Sequence, residues 1–390
     1  MKKTELKNYL HQQKSDHRYR QRVVVDSPQG IELKIEGNKY LNFCSNDYLG
    51  LASHPKVVEA LIDGARKYGV GSGASHLING HCRAHHQLEE ELAVFVGRPR
   101  ALLFSTGYMA NLGVISALLA KGDAVFEDRL NHASLLDGGL LSQARLQRFQ
   151  HNDVKDLENK LVASKANTKL ICTDGVFSMD GDVARVKELA TLARQHDAWL
   201  MVDDAHGLGV VGKNGRGVLE HCNIKGNDVP ILVGTLGKAF GTFGAFVAGD
   251  EDLIETLVQR ARSYIYTTAI PPAVAEATRA SLRLIESEVW RREKLDDNIH
   301  YFKHVAAELG LPETGSCTAI QPIIIGSVKE TMDLSEKLKQ AGLLISAIRP
   351  PTVPEGTARL RITLSADHNH AQIKQLLTTV HTNIAEQSHE

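Results

Sequence analysis

The chain has 390 residues, 43% of them hydrophobic and 23% charged, the composition of a globular protein of roughly two to three domains. Its 45 basic and 46 acidic residues nearly balance, which excludes the basic field that nucleic-acid binding requires, and its apolar runs are too short to span a membrane. The first 22 residues lack the apolar core of a secretory signal, and the five scattered cysteines form no CxxC pair. We therefore expect a cytoplasmic protein without a disulfide framework.

The first two thirds of the chain predict one large α/β domain. A helical stretch to about Arg22 precedes two short strands, 31–35 and 40–43, and from about residue 100 short apolar runs alternate with helical segments. Seven runs are predicted to be strands: 101–105, 124–127, 145–149, 169–173, 199–203, 231–234 and 244–249. Such alternation predicts a mostly parallel sheet covered by helices on both faces.

The last third of the chain changes character. Strands are predicted at 321–325, 343–348 and 359–364, and a final helix over about 370–385. This pattern predicts a smaller α+β domain. We expect an N-terminal segment (1–45), a large α/β domain (46–286) and a small C-terminal domain (287–390).

Ligands of open α/β sheets bind at the carboxyl ends of the strands, so the residues that follow each strand are candidates. Gly107 would let the backbone approach a ligand, and the helix after it would offer free N–H groups to an anion, with Tyr108 adding an aromatic face. His132 stands where a helix could begin, and Ser178 lies in the loop after the fourth strand. Taken singly, each of these is an ordinary turn or capping residue.

Two further strands are followed by residues that are stronger candidates for a catalytic role. Asp203 and Asp204 end an apolar strand and precede His206, and a buried acid needs a cationic or hydrogen-bonded partner. Lys238 follows the next strand among glycines and small apolar residues, where desolvation frees its amine as a nucleophile. A lysine, an acid and a phosphate-binding helix start at one sheet edge are what a pyridoxal phosphate enzyme requires.

Two other patterns do not support a site. Residues 207–212 match G-x-G-x-x-G, but no helix is predicted after them, so a nicotinamide oxidoreductase is a weak rival. His76, His81, His85 and His86 with Cys82 fit no standard metal-ligand spacing, and we expect no metal. A non-catalytic protein that binds acyl thioesters is the remaining rival class.

The chain also resembles the pyridoxal phosphate-dependent α-oxoamine synthases, which have the aspartate-aminotransferase-like fold called fold type I. The matching segments run in order along nearly the whole chain: LNFCSNDYLG (41–50), GSGASHLING (71–80), TGYMAN (106–111), NHASLLDG (131–138), GVFSMDGD (175–182), VDDAHGLG (202–209), TLGKAFG (235–241) and RPPTVPEGTARLRITLS (349–365). The resemblance implies a transferase that condenses an amino acid with an acyl thioester.

The resemblance also implies the residues that hold pyridoxal 5'-phosphate. These are Gly107, Tyr108, His132, Ser178, Asp203, His206, Thr235, Lys238, Thr267 and Thr268. Lys238 would carry the cofactor covalently, Asp203 would pair with its pyridine nitrogen, and His132 would stack on its ring; these three are the expected catalytic residues. Thr267 and Thr268 would reach the phosphate of the neighbouring subunit, which implies a homodimer with the active site at the subunit interface.

The expected substrate contacts are Arg20, Asn46, His132, Arg349, Thr352 and Arg361. Arg361 would pair with the amino-acid carboxylate, and either Arg20 or Arg22 would contact the acyl substrate. The run AIRPPTVP (347–354) resembles the members that condense L-alanine with pimeloyl-CoA, or with a pimeloyl carrier protein, in biotin biosynthesis. The glycine-using 5-aminolevulinate synthases and 2-amino-3-ketobutyrate ligases are the alternatives.

Overall fold

The computed structural model describes residues 2–387. Its strands are β1 (Glu32–Ile35), β2 (Asn38–Asn42), β3 (Arg100–Phe104), β4 (Ala124–Asp128), β5 (Arg145–Phe149), β6 (Lys169–Asp174), β7 (Trp199–Asp203), β8 (Ile231–Thr235), β9 (Ala245–Gly249), β10 (Ile320–Gly326), β11 (Leu343–Leu344), β12 (Ser346–Ile348) and β13 (Ala358–Thr363). Its α-helices are α1 (Leu6–Ser15), α2 (Pro55–Tyr68), α3 (Arg83–Val96), α4 (Gly107–Leu118), α5 (Ala133–Leu141), α6 (Val154–Ala163), α7 (Val186–Gln195), α8 (Val218–His221), α9 (Glu251–Arg260), α10 (Arg262–Ile265), α11 (Pro272–Ser287), α12 (Trp290–Glu308), α13 (Val328–Gln340) and α14 (His370–Gln387).

Contacts group the chain into two compact units. One comprises residues 51–178 and 182–292, and the other comprises the residues before 51, residues 179–181 and those from 293 onward. The predicted division at residues 45 and 286 stays a prediction. Within residues 2–387, no helix combines the length and the apolar character needed to cross a membrane.

The first unit, which we call the large unit, contains a seven-stranded sheet in the order β3-β9-β8-β7-β6-β4-β5. The pairs β4–β5, β4–β6, β6–β7 and β7–β8 are parallel, whereas β9 is antiparallel to both of its neighbours. The prediction of a fold type I, mostly parallel sheet is confirmed. Its central strands are almost continuously buried, as expected for a sheet covered on both faces.

Helix α4 packs on this sheet and is apolar on all sides. Six of its twelve residues are buried, and Val114, Ile115 and Ala110 join Val125, Met201 and Val233 of the strands in one core cluster. Asn111 is the polar exception among the buried positions of this helix. A fully buried amide needs hydrogen-bond partners, and these are found at the sheet edge described below.

The parallel strands place their last residues along one edge of the sheet. Asp174 of β6 stands opposite Asp203 of β7, and Asp203 stands opposite Val233 of β8. The segment with Lys238 follows β8 directly. The residues predicted to act together therefore follow neighbouring strands of one sheet, at their carboxyl ends.

The second unit, which we call the small unit, has two three-stranded sheets, β1-β2-β11 and β10-β13-β12. The prediction of one strand over 343–348 is wrong: β11 pairs parallel with β2, whereas β12 pairs antiparallel with β13, so the chain changes sheet at Ile345. The helix predicted to extend to about Arg22 ends at Ser15, and residues 18–28 form neither helix nor strand.

Candidate active site

Lys238 lies in a tight turn between β8 and β9. The N–H of Leu236 donates to the carbonyl of Gly244 at 2.9 Å, and the N–H of Gly241 donates to the carbonyl of Lys238 at 2.8 Å. Gly241 has φ +64°, and a Cβ there would lie 2.4 Å from the backbone nitrogen of Ala52. Only glycine fits this position without a shift of the backbone, so the turn that presents Lys238 depends on it.

The carboxylate of Asp203 is buried and held on both oxygens. Its Oδ1 accepts the N–H of Ala205 at 3.0 Å, and its Oδ2 accepts the Nδ2 group of Asn111 at 2.6 Å. The same Nδ2 group donates to Oγ of Ser134 at 2.8 Å, and that oxygen lies 2.8 Å from Nδ1 of His132. A chain of hydrogen bonds therefore links the predicted ring-nitrogen acid to the predicted stacking histidine.

His132 is fixed by its backbone as well as by its ring. Its N–H donates to Oδ2 of Asp174 at 3.0 Å, and its ring Nδ1 accepts the N–H of Ser134 as the N-cap of α5. The capping role expected of an ordinary histidine is thus present, and it also sets the ring's direction. Asn131 reinforces the arrangement by donating from Nδ2 to the carbonyl of Cys172 at 2.8 Å.

Electrostatic effects connect these groups. Burial lowers the pKa of His132, with the carboxylate of Asp203 opposing the shift and the amine of Lys238 adding to it. Burial and the charge of Asp203 raise the pKa of Asp174 well above its usual range, and Lys238 acts in the opposite direction. Lys238 therefore lies close enough to both groups to influence their charge states.

The start of α4 lies beside the end of β8. The hydroxyl of Thr106 caps the helix by accepting the N–H of Met109 at 3.2 Å. A Cβ on Gly107 would lie 2.7 Å from Cγ2 of Thr235, so the two predicted residues are in close contact. The rings of Tyr108 and His132 are nearly perpendicular, with 6.3 Å between their centroids, and the hydroxyl of Tyr108 donates to Asp137.

The remaining predicted cofactor residues are spread more widely. His206 is buried just after β7, and Ser178 follows β6 in the loop 175–178. Thr268 forms a β-bridge with Ser75, next to Thr267, and the N–H of Ala269 donates to the carbonyl of Ala74 at 3.0 Å. These described contacts bring the threonine pair to the segment around Ser75.

The predicted substrate residues lie in the small unit. Arg361 is buried on β13, where its guanidinium donates to Oγ1 of Thr363 at 3.0 Å and to Oδ1 of Asn46 at 3.2 Å. Tyr48 also approaches that Asn46 oxygen, at 3.4 Å. Burial raises the pKa of Tyr48 to about 12, against the opposing charge of Arg361, so the phenol stays neutral.

A groove of about 860 Å³ in the small unit collects the other predicted contacts. Arg20, Arg349 and Thr352 line it, whereas Arg22 is not among its lining residues in the described part of the chain. Nη2 of Arg349 donates to the carbonyl of Tyr19 at 2.9 Å. Burial and the nearby charge of Arg20 lower the pKa of Arg349, the other arginine of this groove.

Sequence reasoning missed the supporting residues Asn111, Ser134 and Asp174. Asn111 and Ser134 lie within the quoted segments 106–111 and 131–138, but no role was assigned to them. One clue was present, because Asn111 is an amide in an otherwise apolar helical run and a buried amide needs partners. Its partners come from β7 and α5, and only the packed fold identifies them.

Comparison with known proteins agrees with this geometry. Residues 38–380 match the aminotransferase class I and II family. The chain is 60% identical over 379 residues to an 8-amino-7-oxononanoate synthase of Saccharophagus degradans, covering 97% of this chain and 96% of that protein. It is 61% identical over 371 residues to the 8-amino-7-oxononanoate synthase of Nitrosococcus oceani, covering 95% of this chain and 98% of that protein.

Solved structures give the same result. A serine palmitoyltransferase variant from S. paucimobilis with a bound PLP–myriocin aldimine superposes with a TM-score of 0.93 at 32% identity, covering 99% of this chain and 98% of that one. The 8-amino-7-oxononanoate synthase of Francisella tularensis superposes with a TM-score of 0.79 at 34% identity, covering 90% of this chain and 99% of that one. The chain therefore belongs to the aminotransferase class I and II family and, within it, to the family of the 8-amino-7-oxononanoate synthases.

Proposed function

We propose that this protein catalyses the decarboxylative condensation of L-alanine with a pimeloyl thioester. The products are 8-amino-7-oxononanoate, CO2 and the free thiol of coenzyme A or of a carrier protein, and the reaction belongs to biotin biosynthesis. The names of the curated relatives at about 60% identity support the assignment. The observation that carries it is the cluster of Lys238, Asp203 and His132 at the carboxyl ends of β8, β7 and β4 in one sheet.

The residues at this edge fit pyridoxal 5'-phosphate. Lys238 offers an amine for covalent attachment, and Asp203 offers a buried carboxylate to face the pyridine nitrogen. The N-terminus of α4, with Gly107 lacking a side chain, suits the phosphate. When bound, the cofactor supplies an electron sink for the negative charge that develops at the amino-acid Cα.

Three side chains of the protein would have separate roles in the reaction. Asp203, held by Asn111 and the N–H of Ala205, keeps a proton on the pyridine nitrogen. The Lys238 amine removes the proton from the alanine Cα and later returns one. His132, oriented by Ser134, would stack on the cofactor ring and hydrogen-bond the carboxylate or thioester oxygen of the substrate.

Four further residue positions complete the proposed cofactor contacts. Ser178 and His206 would hydrogen-bond the phenolic oxygen, and Tyr108 and Thr235 would lie around the ring and phosphate. The contact between Gly107 and Thr235 supports a shared role for the two segments that carry these residues.

The substrate residues would recognise two carboxylates. Arg361, whose planar guanidinium is presented by Asn46 and Thr363, would bind the carboxylate of alanine. Arg20 and Arg349 would bind the far carboxylate of the pimeloyl chain, with Thr352 beside them. Apolar side chains such as Met332 and Ile348 line the same groove, which suits a methylene chain that ends in a charge.

We also propose a cytoplasmic homodimer in which Thr267 and Thr268 complete the partner's phosphate site. Three large apolar side chains near this pair are strongly exposed: Val70 at 86%, Ile78 at 78% and Tyr266 at 71%. Exposed apolar groups on the two segments joined by the bridge between Ser75 and Thr268 support a subunit contact there.

The function is tested by supplying the holoenzyme with L-alanine, glycine or L-serine, each with pimeloyl-, succinyl-, acetyl- or palmitoyl-CoA. Mass spectrometry should detect 8-amino-7-oxononanoate from alanine and pimeloyl-CoA as the dominant product. A dominant product from glycine or serine, or from another thioester, would contradict the proposal.

The distal carboxylate site is tested with heptanoyl-CoA, which has the same chain length but no far carboxylate. Arg349→Ala should raise KM for pimeloyl-CoA at least about tenfold and leave heptanoyl-CoA kinetics unchanged, because one hydrogen bond between charged groups is lost. Lys14→Ala removes another cation that lines the same groove and is the matched control. Equal effects on both thioesters would argue against this role for Arg349.

A further inference from the structure

A group of histidines in the large unit has no role in the proposed reaction. Residues 76–80 form a single π-helical turn, and α3 begins three residues later, at Arg83. This turn brings His76, His81 and His85 together, and it also brings His81 to His86 and Glu89 of α3. The sequence spacing fitted no metal-binding pattern because the ligand atoms approach one another only after the turn and the helix have formed.

The two overlapping groups differ in what already holds their ligand atoms: Nε2 of His86 in the second group faces the exposed Glu90 at 3.4 Å, whereas His85 in the first has backbone partners. Both ring nitrogens of His85 are engaged: Nδ1 accepts the N–H of Cys82 at 3.0 Å, and Nε2 lies 2.7 Å from the carbonyl oxygen of Ile270. His85 therefore caps α3 and holds the chain at Ile270. This excludes the group of His76, His81 and His85 as a ligand set.

The second group consists of His81, His86 and Glu89. One ligand atom from each lies within 4.8 Å of the other two. Nε2 of His81 is 3.9 Å from Oε2 of Glu89, too far for a hydrogen bond. Ligand atoms bound to one tetrahedral Zn²⁺ at about 2.0–2.2 Å lie roughly 3.4 Å apart, so ion binding would draw His81 and Glu89 together by about 0.5 Å and the other pairs by up to about 1.4 Å.

Neighbouring groups orient these ligands. Nδ1 of His81 lies 2.9 Å from Nδ1 of His76, which directs Nε2 of His81 toward Glu89. Oε1 of Glu89 accepts the N–H of Leu103 at 2.9 Å, so its Oε2 remains for an ion. Outer hydrogen bonds of this kind orient ligands in metal sites. A cavity of about 290 Å³ lined by all three side chains gives an ion access.

We propose that His81, His86 and Glu89 bind one Zn²⁺ ion, with water completing its coordination. Two imidazoles and one carboxylate are ligands that Zn²⁺ takes readily, whereas Mg²⁺ and Ca²⁺ prefer oxygen ligands throughout. The ion fastens the turn 76–80 to α3. The adjoining residues Ala74 and Ser75 pair with Thr268 and Ala269, so the same ion stiffens the segment that carries the threonine pair.

The test uses untagged holoenzyme, because a polyhistidine tag would bind the same ion. Calorimetric titration with ZnCl2 should give one site per chain, and Co²⁺ should give an intense visible absorption band of a four- or five-coordinate site. His86→Ala should weaken Zn²⁺ binding by at least about tenfold, since it removes one of three protein ligands. Its side chain is half-exposed, so this replacement preserves the fold.

Glu89→Gln is the second variant, because glutamine can still accept the N–H of Leu103 while losing the charged ligand. It should abolish the Co²⁺ band. His304→Ala is the matched control: like His86, which lies 3.4 Å from Glu90, His304 lies 3.2 Å from a glutamate four residues on, Glu308, but it belongs to no described three-ligand group. Absence of a site in the unmodified protein, or equal Zn²⁺ affinity in the His86 and His304 variants, would overturn the proposal.

Discussion

Replacing Asn111 by alanine should damage catalysis far more than stability alone explains. The Asn111 amide donates one hydrogen bond to the Asp203 carboxylate, at 2.6 Å, and one to Ser134, at 2.8 Å. A buried hydrogen bond to a charged group contributes about 1.5–3 kcal/mol. If about 2 kcal/mol of it acts on the reacting state, kcat/KM falls roughly 30-fold, because each 1.36 kcal/mol corresponds to a factor of about ten.

Asn298 offers a matched control in the small unit. It is also fully buried, and its Nδ2 group also donates twice, to the carbonyls of Ser365 at 3.0 Å and His368 at 2.9 Å. Asn298→Ala should therefore lower the free energy of unfolding by about as much as Asn111→Ala, roughly 1–3 kcal/mol, without the fall in kcat/KM.

The assay is steady-state kinetics with L-alanine and pimeloyl-CoA at saturating cofactor, paired with urea unfolding of both variants. Ser134→Ala, which cuts the link to His132 but leaves the bond from Asn111 to Asp203, should have a smaller effect than Asn111→Ala. Equal kcat/KM in the Asn111 and Asn298 variants would refute the reasoning, because the amide would then be a packing element only.

Three further predictions concern stability and the cofactor turn. Although burial opposes the charge of His151, the carboxylates of Asp128 and Asp182 raise its pKa to about 10, so the stabilisation from this charge is complete below pH ~6.5 and is lost as the pH rises through 10. In urea unfolding, the free energy of unfolding of the wild type should therefore fall by about 3 kcal/mol more than that of His151→Gln between pH 7 and 10. Equal losses in the two proteins would contradict this. Burial raises the pKa of Glu127 to about 7, so the folded protein favours the neutral acid. The free energy of unfolding of the wild type should therefore fall by about 2 kcal/mol relative to Glu127→Gln between pH 5 and 8, and a parallel pH dependence of the two proteins would count against this. Gly241→Ala should reduce cofactor content measured by absorbance, because its Cβ would lie 2.4 Å from a backbone nitrogen, and full loading would show that the turn can adjust.

Six of the seven strands of the large sheet were predictable because each is a short, largely buried run with a clear end; β5, at the sheet edge, is buried only at Phe149. Strand β7 has the predicted bounds, Trp199–Asp203, since three buried apolar residues are followed by a buried acid. The strand over 343–348 was predicted wrongly for a physical reason. The run 343–348 is apolar apart from Ser346, yet its two halves pair with different sheets, and the local sequence pattern carries no information about strand partners.

The sequence could likewise predict some residues of the candidate site and not others. The sequence indicated Lys238, Asp203 and His132 because strand ends meet at one edge of a parallel sheet. It could not indicate that Asn111 of α4 reaches across to Asp203, since this contact depends on how a helix packs on a strand 92 residues away. The sequence spacing likewise gave no reason to expect that His81, His86 and Glu89, which follow the π-helical turn, share a ligand site.

The central claim is that the amine of Lys238 forms the covalent bond to pyridoxal phosphate at the edge of the sheet. The direct measurement is borohydride reduction of the holoenzyme followed by peptide mass spectrometry. We predict a phosphopyridoxyl adduct on the peptide that contains Lys238 and no adduct in Lys238→Ala. An adduct on a different lysine, or none after incubation with the cofactor, would contradict the account.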